Sequence, residues 1–353
     1  MRSGGALLAG SVMCLWLCAA ACYRDHSTAA VLPAVYHWKT VFSPDSTEQV
    51  WLRENEMRRV YVKFFDVDLD AREDLPTPRA SVVLPAQLSP DTDYVPCVFI
   101  TNRVFSRIGE TEIDELATRV WDKMLRMVEQ SGALPFPREI QIDCDWTGST
   151  REAYFRFLAQ LRKNLTTRNI QLSVTIRLHQ AKFPEETGIP PVDRGMLMFY
   201  NIGNLSDLTT SNSILNRSAA EQYLSDYSNY PLPLDLALPI FRWGVLFRDE
   251  KLIRLINNLE AAALSDTTFF RKDAPHRYTV QKSTYLEGYY LYSGDQLRLE
   301  GIRTDLLLDV AALIKPRLAP DSFHLAFYHL DPETIKDFPH DSIQLLLQLF
   351  ETP

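Results

Sequence analysis

Several ingredients that would mark a function are scarce or missing in this 353-residue chain. It holds five cysteines, and only Cys97 and Cys144 lie beyond the N-terminal apolar stretch. Both fall in strand-like runs, so neither a disulfide framework nor a cysteine metal site is expected. Positive charge is in deficit, with 37 Lys and Arg against 45 Asp and Glu and a net charge of −8. That excludes the basic face nucleic acid requires, and no basic amphipathic helix marks a membrane-surface site. No Gly-rich phosphate loop follows the first strand-like segment, and neither G-x-S-x-G nor H-E-x-x-H occurs. These absences argue against dinucleotide, serine-hydrolase and zinc-hydrolase chemistry, and the sequence implies no cofactor. There is no internal repeat and no low-complexity tract.

The N-terminus is a different material. Arg2 is followed by "ALLAGSVMCLWLCAAAC", an apolar run suited to a secretory signal rather than to a spanning helix. It ends in Ala19-Ala20-Ala21-Cys22, which resembles the lipobox of bacterial lipoproteins, although Ala19 stands where a Leu is usual. The expectation is a signal peptide over 1–21, lipidation at Cys22, a tether over 22–33 and a body over 34–353. The protein would then sit in the bacterial cell envelope, periplasmic or at the outer membrane, touching the bilayer only through its anchor.

From residue 34 onward strand-like and helix-like segments alternate. Strands are predicted over 34–42, 60–68, 94–100, 139–145, 170–179, 195–200, 236–241 and 323–329. Helices are predicted over 47–60, 112–130, 150–164, 217–228, 250–263, 303–316 and 342–350. Eight strands with helices between most of them favour a (β/α)8 TIM barrel over an open doubly wound sheet. Residues 69–93 read as a loop rich in Pro and Asp. Residues 265–302 read as a β-rich insertion before the last helix–strand pair.

The stretch "QIDCDWTGST" (141–150) raises the functional question. Alternation in a strand sends Gln141, Asp143 and Asp145 to one face and Ile140, Ile142 and Cys144 to the other. The apolar trio suits the helix layer, so both acids look into the barrel near the C-terminal strand end, where barrel active sites are built. The next strand sends Ser173, Thr175, Arg177 and His179 inward by the same logic, and Lys63 lies among apolar neighbours in the second. Buried acids need partners, and Lys63 and Arg177 are the cations available. A structural ion cluster and a polar ligand pocket both satisfy that demand.

The same residues resemble a known family. "DCDWT" (143–147) is similar to the D-x-D-W-E core of the chitinase-type, family-18 glycoside hydrolases, which are (β/α)8 barrels. "MLMFYN" (196–201) resembles that family's M-x-Y-D/N strand, and "LALPIFRW" (236–243) its following G-x-P-F-Y-G-R strand. The resemblance implies that Asp145 matches the Asp orienting the substrate's own N-acetyl group and that Tyr200 helps hold that group. Thr147 stands in the place of the general-acid Glu, and Ile140 replaces the first Asp of the longer motif. A hydroxyl cannot protonate a leaving group near neutral pH, and general-acid help is worth roughly 10²–10⁴-fold. Asp143 and Asp145, about 6–7 Å apart by strand geometry, are the remaining catalytic candidates together with Tyr200.

Other groups weigh less. Ser149-Thr150-Arg151-Glu152 reads as a capping box, which assigns Glu152 to structure. Asp66, Asp68 and Asp70 have the spacing of a calcium loop's opening, but Ala71 and Thr77 stand where its Gly and Glu belong. His37, His179, His324 and His329 fall near strand ends without metal-ligand spacing. Trp38, Trp146, Tyr200, Trp243 and Tyr328 lie near C-terminal strand ends, where together they would offer stacking faces to sugar rings. The expected site therefore has Asp143, Asp145 and Tyr200 at its centre. Trp38, Lys63, Trp146, Thr147, Arg177, His179, Trp243 and Tyr328 are its ligand contacts, the partner is a glycan, N-acetylated if the resemblance holds, and no metal is involved. The rival reading is a non-catalytic structural or interaction lipoprotein on a degenerate barrel.

Overall fold

In the computed structural model, residues 30–225, 227–318 and 322–351 are described. The segment expected to be a signal peptide, Cys22 and most of the expected tether lie outside them. Eight parallel strands close a barrel: Ala30–His37, Arg59–Leu69, Asp93–Ile100, Glu139–Asp143, Gln171–Arg177, Arg194–Met198, Leu234–Pro239 and Ser322–Tyr328. Each pairs with its sequence neighbour, and the first pairs with both the eighth and the second, so the barrel has no free edge. The (β/α)8 architecture is the one the alternation predicts.

The helical jacket follows from amphipathic patterning. Glu110–Ser131 buries Ile113, Leu116, Val120, Met124 and Val128 against the strands, and Arg151–Thr166 buries Tyr154, Phe157, Leu158, Leu161 and Leu165. Gly132 ends the longer helix in the left-handed conformation that glycine adopts without strain. Among the described residues no helix is long and apolar enough to cross a membrane.

Two expectations fail locally. The segment predicted as a helix over 250–263 contains the strand Lys251–Asn257, which pairs antiparallel with Trp243–Arg248. The insertion therefore starts at Trp243 rather than near 265, and its five-stranded sheet also takes Phe270–Ala274, Arg277–Val280 and Gln296–Glu300. Apolar residues at helical spacing misled the reading because the strand carries a bulge between Leu252 and Arg254, which breaks period-2 alternation. The capping box at 149–152 is absent as well. Thr150 makes no side-chain cap bond; its hydroxyl instead receives the Thr147 amide and donates to Asn102.

Candidate functional site

The fourth strand sets the site, because its alternate residues all enter the barrel at successive heights. At the N-terminal end Glu139 is bound by Arg59 at 2.8 Å and by the Ser173 hydroxyl. In the middle Gln141 receives the Tyr36 hydroxyl at 2.6 Å from across the barrel. Asp143 follows, accepting from Thr175 at 2.5 Å, and Asp145 stands at the rim just past the strand end. The inward orientation expected of the two acids is the one observed.

Their partners differ from expectation. Arg177 grips Asp145 with Nε and Nη2, a bidentate pair in which Asp145 stays half exposed. Lys63 takes neither acid; its Nζ pairs with Asp66 at 3.2 Å and lies 5.9 Å from the Trp38 ring. The bulge between Lys63 and Phe65 turns Asp66 toward that lysine. Among the described residues Asp143 thus has the Thr175 hydroxyl for a partner and no ion pair. Burial, with Thr175 and Arg177 pulling the other way, pushes its carboxyl up to about 6.

Above these acids opens a pocket of about 470 Å³. It is lined by Trp38, Asp143, Asp145, Arg177, Tyr200, Trp243 and Tyr328, which the sequence singled out, and also by Phe99, Met198, Asn201, Phe241, Asn257 and Asn258. Tyr200 stacks on Tyr328 at 5.0 Å, and Phe241 bridges Tyr328 to Trp243 at 5.7 and 5.1 Å. Trp38 closes the arc 5.8 Å from Tyr328. The Trp243 indole is fixed by Glu300, which accepts its Nε1–H at 2.8 Å and also holds the Ser213 hydroxyl. Among the described residues the buried Tyr200 hydroxyl has no hydrogen-bond partner. A buried donor left unmade costs roughly 1–3 kcal/mol; the Tyr61, Tyr154 and Tyr230 hydroxyls are in the same state, but of these four tyrosines it is Tyr200 that lines the pocket. Burial and the neighbouring Tyr328 hold its ionisation well above the usual tyrosine range.

Four expected contacts lie elsewhere: Lys63, held by Asp66 outside the pocket lining, and three more. Trp146 is fully buried behind the strand, donating to the Thr187 carbonyl at 3.0 Å and stacking on Tyr154. It follows an inward residue, so alternation sends it to the helix side. Thr147 sits on an exposed turn with its hydroxyl shared between Ser149 and Thr150, outside the pocket lining. The strand ends at Arg177, so inward alternation stops there and His179 falls on the short helix Leu178–Lys182, exposed beside a recess of about 60 Å³.

Phe241 was legible in the sequence, two residues before Trp243 on the same alternating run. Asn257 and Asn258 were hidden by the false helix. Of the remaining acids, Asp68 and Asp70 have structural duties, while Asp331 has one and also lines the pocket. Asp68 pairs with Arg103, Asp70 accepts amides of its own turn, and Asp331 caps Pro332–Ile335 while holding Lys39. The histidines are dispersed, His324 standing against Arg194 and Asp235 at the opposite end of the barrel. Among the described residues no group of three or more His, Cys, Asp or Glu is placed to hold a metal ion.

No family model and no curated protein match the sequence. Solved structures do match the fold. A class V chitinase from Pseudomonas fluorescens superposes with a TM-score of 0.54 at 13% identity, covering 90% of this chain and 99% of that one. The spore cortex-lytic enzyme SleL of Bacillus cereus gives 0.53 at 16% identity over 91% and 75%. A Group IV chitinase of Ostrinia furnacalis gives 0.51 at 11% identity over 91% and 100%. The chain has the fold of the chitinase-type (β/α)8 barrels.

Proposed function

We propose that the protein is a glycan-binding barrel whose pocket receives an N-acetylated sugar and holds it without chitinase-type turnover. The observation that carries this reading is the unpartnered Tyr200 hydroxyl, buried in a pocket that also holds Asp145 and an aromatic arc. An acetamido carbonyl would accept from Tyr200, its N–H would donate to the Asp145–Arg177 pair, and the sugar's CH face would pack on Trp38, Tyr328 or Trp243. Binding a neutral sugar needs nothing more. Hydrolysis needs a proton donor at the leaving oxygen. Thr147 is a hydroxyl turned into its own loop, and Asp143 lies at the pocket floor against Thr175. The fold shared with enzymes named as chitinases and as cortex-lytic supports the substrate class.

Titration of the purified protein calorimetrically with N-acetylglucosamine tetramer and with cellotetraose tests the reading. The expected result is saturable binding of the first, at least tenfold weaker binding of the second, and no shortened product. Equal affinity for both, or none for either, removes the proposal. The same reading places the protein in the envelope on a lipid at Cys22. Incorporation of labelled palmitate that is lost in Cys22→Ser is the expected outcome, and a mature chain retaining residues 1–21 contradicts it.

A further inference from the structure

The insertion carries a feature that the pocket leaves unused. Thr284–Leu286 pairs antiparallel with Tyr289–Leu291 through a turn at Glu287 and Gly288, both with positive φ. Two successive left-handed residues make the tight turn that matches strand twist. One face of this hairpin puts Leu286 and Leu291 into the insertion's own small core. The other face presents only tyrosine: Tyr285, Tyr290 and, one residue past the strand, Tyr292 are 73%, 45% and 51% exposed. Their rings meet edge to face at 5.0 Å, first Tyr285 on Tyr290 and then Tyr290 on Tyr292. Arg248 packs over Tyr292 at 4.2 Å and is itself clamped by both oxygens of buried Asp295. The three exposed rings pack on one another with Arg248 behind Tyr292, an arrangement that lowers the ordering cost of binding.

We infer that this tyrosine face is a second glycan-contact surface, taking a polymeric strand of pyranose rings while the barrel pocket takes a sugar unit. The inference rests on the glycan reading of the pocket. Three half-exposed rings offer about 300 Å² of aromatic surface, well below the roughly 800 Å² that each partner of a stable protein complex contributes. Stacking of sugar rings needs no larger area. A lipid surface would call for basic charge free to meet it, whereas Arg248 is neutralised by Asp295, the turn carries Glu287 and the chain is at −8. The strand Trp243–Arg248 links the two sites, with Trp243 lining the pocket at one end and Arg248 under Tyr292 at the other. Five residue steps separate them by about 17 Å, so one sheet carries both at fixed spacing.

Co-sedimentation of the full-length protein with crystalline chitin, with peptidoglycan sacculi and with vesicles of phosphatidylethanolamine and phosphatidylglycerol tests the inference. The variants are Tyr285→Ser/Tyr290→Ser/Tyr292→Ser and the ring-preserving Tyr285→Phe/Tyr290→Phe/Tyr292→Phe. The expected result is binding of wild type and the Phe variant to at least one polymer, and a loss of about tenfold or more in the Ser variant. The affinity of the Ser variant for soluble N-acetylglucosamine tetramer should stay unchanged, which also reports that it is folded. Equal sedimentation of wild type and the Ser variant with the polymers overturns the inference, as does vesicle sedimentation that the Ser variant loses, since a lipid at Cys22 would carry both chains to vesicles alike. Polymer binding that is lost in the Ser variant, with no tetramer binding by wild type, retains the surface and sinks the pocket reading instead.

Discussion

The two ends of the barrel interior are built from the same residue types and do opposite things. At the N-terminal end Glu139 is closed in by Arg59 and Ser173, and Asp235 by Arg194 and His324, all packed with little solvent. At the C-terminal end Asp143 has only Thr175, Asp145 shares its charge with Arg177 at a wet rim, and Tyr200 has no partner among the described residues. Carboxylates inside a barrel therefore do not mark a site by themselves. What marks it is an unmade donor that borders open space: the Tyr61 hydroxyl beside Glu139 and the Tyr154 hydroxyl also have no partner among the described residues, but neither lines the pocket.

The strongest way to break this comparison is to remove one partner at each end. Arg59→Ala strands a buried carboxylate and should cost about 3–5 kcal/mol, read from urea unfolding. Asp145→Ala should cost under about 1 kcal/mol, since its pair is half exposed, yet abolish tetramer binding. Comparable losses of stability would erase the distinction between the two ends.

The second test uses pH. Asp143 titrates at about 6 in the fold and near 3.9 unfolded. Between those values the folded chain keeps the proton and the unfolded chain releases it, so stability falls as pH rises from about 4 to 6. The drop is up to about 3 kcal/mol. Asp143→Asn should remove that component, and wild-type and variant curves that stay parallel across the window would contradict the assignment.

A smaller effect sharpens the role of Tyr200. Tyr200→Phe should raise stability by up to about 1 kcal/mol by deleting an unmade donor, and lower tetramer affinity about tenfold. A stability loss instead would mean the hydroxyl is already satisfied. Smallest of all is the effect of Thr147→Glu. Because that turn lies outside the pocket lining, a carboxyl there should bring no detectable hydrolysis and leave tetramer binding unchanged. Release of shortened sugar by the variant would show that the turn reaches the pocket.

Legibility in the sequence followed the local rules. The barrel strands were readable because their apolar outer faces and polar inner faces obey period 2, and the inward acids came directly from that alternation. Trp146 and His179 were misplaced because each sits at the edge of a strand, where alternation either sends the side chain outward or stops. The hairpin of the insertion was unreadable for another reason. Asp249 and Glu250 form its turn with positive φ, in place of the Asn-Gly or Gly-containing pair that announces such turns.

By itself the sequence determined the alternation of strands and helices and the inward aim of Asp143, Asp145 and Arg177. Those properties depend only on residues a few positions apart. Tertiary structure alone decided which cation reached which acid, that Trp243 would be pinned by Glu300, and that Tyr200 would have no partner among the described residues. Each of these joins residues far apart in the chain, brought within hydrogen-bond range only when the barrel closes, and short-range pattern carries no record of that distance.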